Sequence, residues 1–472
     1  MIIKTKNWDL RNVEALQSGE LCVRQAFDNS LSGTTPFTAA TKVFGGFTVK
    51  HPTNDSVWHY AVVLDTTVKL YVLDEYLVEL FSYDYGVSVA PMDVTHSIVE
   101  DEITVACPGL PTLWGVVGSG LIVAAKVNSV NPATTALDIP QGLCVSWAGR
   151  TVISPGDALY FSDALYPRTY VAENILNPPG GTVYGLHVNK GGALIIVTSS
   201  GVWALPEDAA ASGQLVIGIW SKLTDYACAG FRNSCCAVGR VFGLTDGGYR
   251  LIDDAQADTI ALDESMVSRS SPGRITFADY RQGWIFGGQN GVYVVIGKYL
   301  HYSDMSSEYQ SWITTSYSTG FVVTALLSEQ DGNEMFLMDM GAGVNRFFVR
   351  NGNARAVDGT DTMYGSIAGR MGGSPAGSPV IRRVSFNVNT YKVAMVRVLD
   401  TQKSVTPIAY APIIGTSSWG SGTYEENRLR SVKVPMAIRG DDLGFEVQLQ
   451  HYPALIPNVI DIDIKGPGKG RV

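Results

Sequence analysis

Three 15-residue segments of the chain share one design: "GGALIIVTSSGVWAL" (191–205), "VGRVFGLTDGGYRLI" (238–252) and "RQGWIFGGQNGVYVV" (281–295). Each holds an apolar strand, a polar turn that closes on glycine, and a second apolar strand, which is the pattern of a β-hairpin. The glycines Gly201, Gly248 and Gly291 read as blade-turn residues, because a tight turn demands a positive φ that glycine adopts at no steric cost. Two residues further on, Trp203 and Tyr293 stand in register with Arg250 and read as a repeated packing position. From Gly201 to Gly248 is 47 residues and from Gly248 to Gly291 is 43. Looser copies around Gly156 and Gly343, and glycine-free hairpin pairs at 59–74 and 102–127, extend the same pitch in both directions.

A repeat of this length with a few short strands in each unit predicts a β-propeller, in which a sheet that cannot bury both faces alone is buried by its neighbours in a ring. The alternative reading of the same strands is an ordinary β-sandwich. The expected fold is therefore all-β: a propeller of about six or seven blade-like units, with an additional antiparallel β-sheet or sandwich domain near the C-terminus. The expected boundaries are an N-terminal lead-in segment (1–40), the propeller (41–350), a Gly/Ser/Pro-rich linker or loop (351–380) carrying "GSIAGRMGGSPAGSP", and a C-terminal β domain (381–472). The last of these alternates apolar and polar residues, as a half-exposed antiparallel sheet does.

Composition agrees with a folded, turn-rich β protein: 472 residues, 46% apolar and 17% charged, with 50 glycines. A chain this long buries a large core without disulfides or metals. The formal net charge of −9 argues against tight nucleic-acid binding, which needs clustered Lys and Arg to neutralise phosphates. The six cysteines show no C-x-x-C pair and read as reduced, buried thiols. "MIIKTKNWDLRN" has no apolar run after its lysines, which predicts no secretory leader, and "GLIVAA" is too short to span a bilayer.

The search for chemistry yields little. The six histidines are scattered, with no H-E-x-x-H, and there is no G-x-S-x-G elbow. "KGPGKG" (465–470) lacks the G-K-[ST] of a phosphate loop, and "SSEYQSWITT" (306–315) lacks the Asp and Gly of a sialidase turn. No catalytic residue, metal ligand or cofactor is assigned. The segment 160–181, "YFSDALYPRTYVAENILNPPGG", concentrates tyrosines, an arginine and prolines in one excursion. Tyr166, Arg168 and Tyr170 are its interface candidates, because Tyr and Arg are enriched at interface hot spots; packing of the loop on its own protein is the other reading.

"LYFSDALYPRTY" followed by "GTVYGLHVNKGGALIIVTSSGVWALP" resembles the tail nozzle proteins of short-tailed bacteriophages, also called packaged-DNA stabilisation proteins or tail tubular protein B. The shared elements fall on Ser162, Asp163, Gly185 and the 191–205 hairpin. "DLRNVEALQSGELCVRQAF" adds Asn12, Val13, Gly19, Leu21 and Arg24 at the positions that lead into the propeller in that family, although Gln25 and Ala26 stand where Pro-Gly is usual. The closing strands, "GFEVQLQHYPALIPNVIDIDIKG", are similar as well. The resemblance implies a non-enzymatic virion protein, a homo-oligomer of hexameric type in the viral tail, assembled in the host cytoplasm. It implies a head-to-tail adaptor on one side, a tail needle, fibre or spike on the other, and packaged DNA retained above and conducted through the channel without sequence-specific binding. The competing expectation is a propeller that degrades or binds glycans.

Overall fold

The computed structural model describes side chains for residues 42–51, 56–128, 134–207, 220–246, 248–253, 282–288, 291–296 and 300–303, and elsewhere the backbone of strands alone. Four short strands come first: β1 (Trp8–Arg11), β2 (Val13–Ala15), β3 (Leu21–Val23) and β4 (Gln25–Asp28). Six antiparallel sheets then follow in chain order, each a meander whose strands pair with their sequence neighbours.

Blade 1 is β5 (Lys42–Lys50), β6 (Val57–Leu64), β7 (Val68–Leu73) and β8 (Glu79–Asp84). Blade 2 is β9 (Thr95–Val99), β10 (Glu102–Ala106), β11 (Leu113–Val116) and β12 (Ile122–Val123). Blade 3 is β13 (Leu143–Trp147), β14 (Arg150–Ser154), β15 (Leu159–Asp163) and β16 (Tyr166–Leu176). Blade 4 is β17 (Val183–Val188), β18 (Leu194–Thr198), β19 (Gly201–Leu205) and β20 (Ser221–Thr224). Blade 5 has β21 (Ser234–Ala237), β22 (Arg240–Thr245) and β23 (Gly248–Leu251). Blade 6 is β24 (Trp284–Gly287), β25 (Gly291–Ile296), β26 (Tyr299–Asp304) and β27 (Gln310–Ile313). A seventh sheet holds β28 (Val322–Ser328), β29 (Glu334–Asp339) and β30 (Asn345–Arg355), and β4 from the N-terminus becomes its fourth strand. The first strand of each sheet packs beside the first strand of the next, and β28 packs against β5, so the ring closes. This is a β-propeller.

The apolar sequence explains the ring. Strand β18 is buried at every position, and its residues alternate between two cores. Leu194 and Ile196 join Leu143, Val152 and Phe161 of blade 3, whereas Ile195 and Val197 join Cys228, Val241 and Ile252 of blade 5. Strand β14 repeats the device, with Val152 in the core shared with blade 4 and Ile153 packed beside Ala106 of blade 2 and Tyr170. A central strand buried on both faces reads as a continuous apolar run, and a two-residue side-chain period sends successive residues to opposite neighbours.

The repeated glycines act in two ways. Thr198 pairs with Gly201 and Thr245 with Gly248, and in each hairpin the threonine Oγ1 donates to the glycine carbonyl, at 2.8 and 2.9 Å. Gly201 and Gly248 take φ of +143° and +98°, as expected of turn glycines. Gly291 does not; there the demand is space, since a Cβ would collide with the Ser303 carbonyl and the Tyr302 ring. Of the residues in register, Tyr293 is buried against Tyr302, with ring centroids 4.6 Å apart, while Trp203 is half-buried with Lys222 Nζ 5.4 Å from its ring.

Beyond the ring lie β31 (Val357–Asp358), β32 (Asp361–Thr362), β33 (Tyr364–Arg370), β34 (Val380–Val388), β35 (Lys392–Asp400), β36 (Ile413–Ile414), β37 (Arg430–Arg439), β38 (Leu443–Gln450) and β39 (Leu455–Lys465). β31 and β32 pair with each other as a two-stranded ribbon, and the remaining strands build two sheets that both recruit the N-terminus: β1 sits between β27 and β33 in the order β27-β1-β33-β38-β35-β36, and β2 and β3 extend β39-β34-β37. This corrects two expectations. The segment 1–40 is no separate lead-in, because its strands complete sheets formed by residues far away in sequence. Nor is 351–380 wholly a linker, because "YGSIAGR" forms β33, paired on one side with β1 and on the other with β38. Its glycines and serine suggest a loop when read alone, but ladder partners on both sides hold it as a strand. No helix among the described residues is long and apolar enough to cross a membrane.

The two-core arrangement makes Ile196→Ala expensive. A loss of about 2–5 kcal/mol is expected from denaturant unfolding, and a loss below about 0.5 kcal/mol, the range of surface substitutions, would show that this face is not tightly packed.

Candidate functional site

The aromatic segment after Leu159 is a β-hairpin whose ladder is interrupted by register shifts around Ser162. Asp163 pairs with Tyr166 across a tight turn, in which Leu165 takes a φ of +64° and its N–H donates to the Gly149 carbonyl at 2.8 Å. Tyr166 is 52% exposed. Arg168 lies with its guanidinium 3.6 Å from the centroid of the Trp114 ring, and Trp114 Nε1 donates to Glu102 Oε2 at 2.7 Å, so Arg168 clamps the outer strand of blade 3 onto blade 2. Tyr170 is buried with Ala106, Cys144 and Ile153, and burial raises its phenol well above the ordinary value. The structure thus leaves Tyr166 as the accessible member of the expected trio and corrects Tyr170, whose ring packs in the seam between blades 2 and 3. Asn12, Gly19 and Arg24 lie outside the described residues.

The hub is held by a residue that the sequence did not single out. Arg232, just before β21 and at a φ of +62°, points across the ring. Its Nε lies 3.4 Å from Asp93 Oδ1, its Nη2 donates to the Phe44 carbonyl, and its guanidinium sits 5.0 Å from the Trp284 ring centroid. One side chain therefore ties blade 5 to blades 1, 2 and 6, at the end where the innermost strands begin. Burial lifts the Asp93 carboxyl above its ordinary value and lowers Arg232, and each partner's charge opposes the shift of the other. Gly45 is part of the fit, because a Cβ there would stand 2.8 Å from Arg232 Nη2.

Polar seams join neighbouring blades around the hub. Ser97 Oγ is 2.9 Å from Thr151 Oγ1 and 3.1 Å from Ser146 Oγ, and Ser146 Oγ accepts from the Ile98 N–H at 2.6 Å and donates to its carbonyl at 2.8 Å. Trp147 Nε1 donates to the Gly192 carbonyl at 2.9 Å, and Asn233 Nδ2 to the Gly283 carbonyl at 2.7 Å. His187 Nε2 lies 2.8 Å from Ser234 Oγ, between blades 4 and 5. This contact joins β17 to β21 as a tie between the two sheets, and burial lowers His187 to about 4, which keeps its ring neutral. Burial pushes the thiols of Cys107, Cys144 and Cys228 up to about 12, well away from the thiolate. Among the described residues, no group of three or more His, Cys, Asp or Glu is arranged to hold a metal ion.

The surface is most unusual on the rim of blades 1 and 2. Strand β8 is exposed at all but one of its positions, and Leu80 and Phe81 are 40% and 42% exposed. A Cβ on Gly120 would meet the Phe81 ring at 3.4 Å, which makes β8 continuous with the exposed Ile122 and Val123 of β12. Glu79 and Asp84 stand at the two ends of the same strand. Between residues 70 and 125 the chain carries eight Asp and Glu, from Asp74 to Glu102, and no Lys or Arg. That run was available from the sequence as a local charge imbalance, which the overall net charge of −9 conceals.

No protein-family profile matches the chain, and no curated protein does. Solved structures give wider, weaker likenesses. YCF48 from Cyanidioschyzon merolae is 11% identical with a TM-score of 0.41, covering 68% of this chain and 98% of that one. The C-terminal WD40 domain of Sif2 is 10% identical with a TM-score of 0.38, covering 70% and 99%. The extracellular domain of a hybrid two-component system from B. thetaiotaomicron is 10% identical with a TM-score of 0.43, covering 92% of this chain and 62% of that one. Such similarities assign no activity, substrate or partner to this chain.

Removing one member of the hub pair leaves the other charge buried, so Asp93→Ala and Arg232→Met are each expected to cost about 3–5 kcal/mol. The double variant should lose less than the sum; singles within about 1 kcal/mol of the parent, the range of exposed pairs, would contradict the hub assignment. The buried histidines add a pH dependence. Burial lowers His59 to about 4 and His301 to about 3, from 6.5 in the open chain. The unfolded chain therefore takes up these protons first, so the stability they contribute is fully present above pH 6.5 and is lost as pH falls through about 4. A thermal midpoint that stays flat across that window would rule this out.

Proposed function

We propose that the chain is a structural virion protein of a short-tailed bacteriophage. In this reading it forms the lower tail channel, assembles as a ring beneath the head-to-tail adaptor, retains the packaged DNA and conducts it during ejection. It works by shape and contact, without catalysis, as a virion component put together in the host cytoplasm. A needle, fibre or spike protein closes the channel below.

The observation that carries the reading is the distribution of surface on the propeller. The side where the inner strands begin is tied across its axis by Arg232, whereas the outer edge of blades 1 and 2 presents apolar residues that water does not favour. Contiguous exposed apolar surface rimmed by polar groups marks sites of protein contact. The resemblance to tail nozzle proteins supplies the context for that contact: its two quoted segments fall on the outer hairpin of blade 3 and on the β17–β19 meander of blade 4. The net charge of −9 suits a conduit for DNA, since a basic wall would grip the phosphates and an acidic one repels them.

The test uses a phage that encodes this chain. Particles assembled without it should package DNA, fail to hold it, and regain nuclease-protected DNA when the purified protein is added back. Particles that keep their DNA without the chain would refute the proposal. Cleavage of host polysaccharide by the purified protein would favour a glycan-degrading tail component instead.

A further inference from the structure

We propose that a second copy of this chain docks the basic sheet edge β37 against the acidic, apolar edge β8, so that copies join head to tail. The inference deepens the assembly reading above and rests on it. Strand β8 ends its sheet, and among the described residues nothing pairs with its outer side. An unpaired strand edge is a template for another strand, and natural proteins usually blunt it with charge or by keeping it short. Here β8 has six residues, and its exposed centre includes Leu80 and Phe81 between Glu79 and Asp84.

Charge selects the occupant. Residues 70–125 carry eight Asp and Glu and no Lys or Arg, seven of the acids lying outside the Asp93–Arg232 hub pair, whereas residues 345–472 carry sixteen Lys and Arg against ten Asp and Glu. Within that basic region β37 ends its own sheet, in the order β2-β3-β39-β34-β37, and carries Arg430, Lys433 and Arg439. It also contains Pro435, which has no N–H to give to a ladder and is at home on an edge strand. One chain thus holds two unlike, complementary sheet ends. A contact between unlike surfaces of identical subunits is heterologous, and it closes into a ring when the rotation permits. Pairing of apolar strand edges supplies the attraction, and the opposed charges set partner and orientation.

Mass photometry of the full chain at low and high salt tests this. The wild type should associate, and Glu79→Lys/Asp84→Lys and Arg430→Glu/Lys433→Glu should each weaken association by about tenfold or more, as loss of complementary charge across an interface does. Mixing the two reversed proteins should restore the contact. Circular dichroism should show both variants folded. A second measurement needs no charge change: in a Cys236→Ser background, Ser82→Cys should form an inter-copy disulfide with a cysteine placed in turn along β37. Rings that form unchanged in both reversed variants, with no such disulfide, would overturn this contact while leaving ring assembly intact. A wild-type chain that stays monomeric alone and with the adaptor would overturn the ring reading and this inference together.

Discussion

The structure depends on burial of each blade between two others. Among the described residues the cores are shared between blades: the apolar residues of β18 divide between blade 3 and blade 5, and those of β14 between blade 2 and blade 4. Stability is therefore a property of neighbouring pairs, as in other repeat architectures, and a ring is the arrangement that leaves no pair open. The closing step is the packing of β28 beside β5 and the pairing of β4 with β30, which joins the N-terminus to the last sheet. The polar seams follow the same logic, since Ser97, Trp147, His187 and Asn233 each bridge successive blades.

Much of this was legible in the sequence because its causes are local. Hairpins at 191–205, 238–252 and 281–295 announce themselves through a glycine after a polar turn, and the pitch between them is the length of one blade. The reasons differ between positions, however. Gly201 and Gly248 are required by their dihedrals, but Gly291 is required by a carbonyl on the next strand, which no local pattern encodes. Long-range pairing was equally hidden. Nothing in "WDLR" indicates a strand between β27 and β33, and the glycines of "YGSIAGR" suggest a loop until its two partners are known.

The candidate site divides along the same line. Tyr166, Arg168 and Tyr170 form a cluster in sequence, yet the strand and its neighbours give them three roles: an exposed ring, a clamp on Trp114 and a buried core residue. Arg232 had no signature, because its partners Phe44 and Asp93 lie more than a hundred residues away and meet it only once the ring is closed. The acidic rim, by contrast, is written in the local charge of residues 70–125.

Together these features describe a scaffold whose hub is fixed and whose rim is the place of contact. Hydrogen–deuterium exchange, compared between the free chain and the chain in its assembled state, tests that division most directly. The account predicts new protection along β8 and β12, with the residues around Phe44, Asp93 and Arg232 unchanged. Protection gained at those hub residues, with the rim left as open as in the free chain, would contradict it.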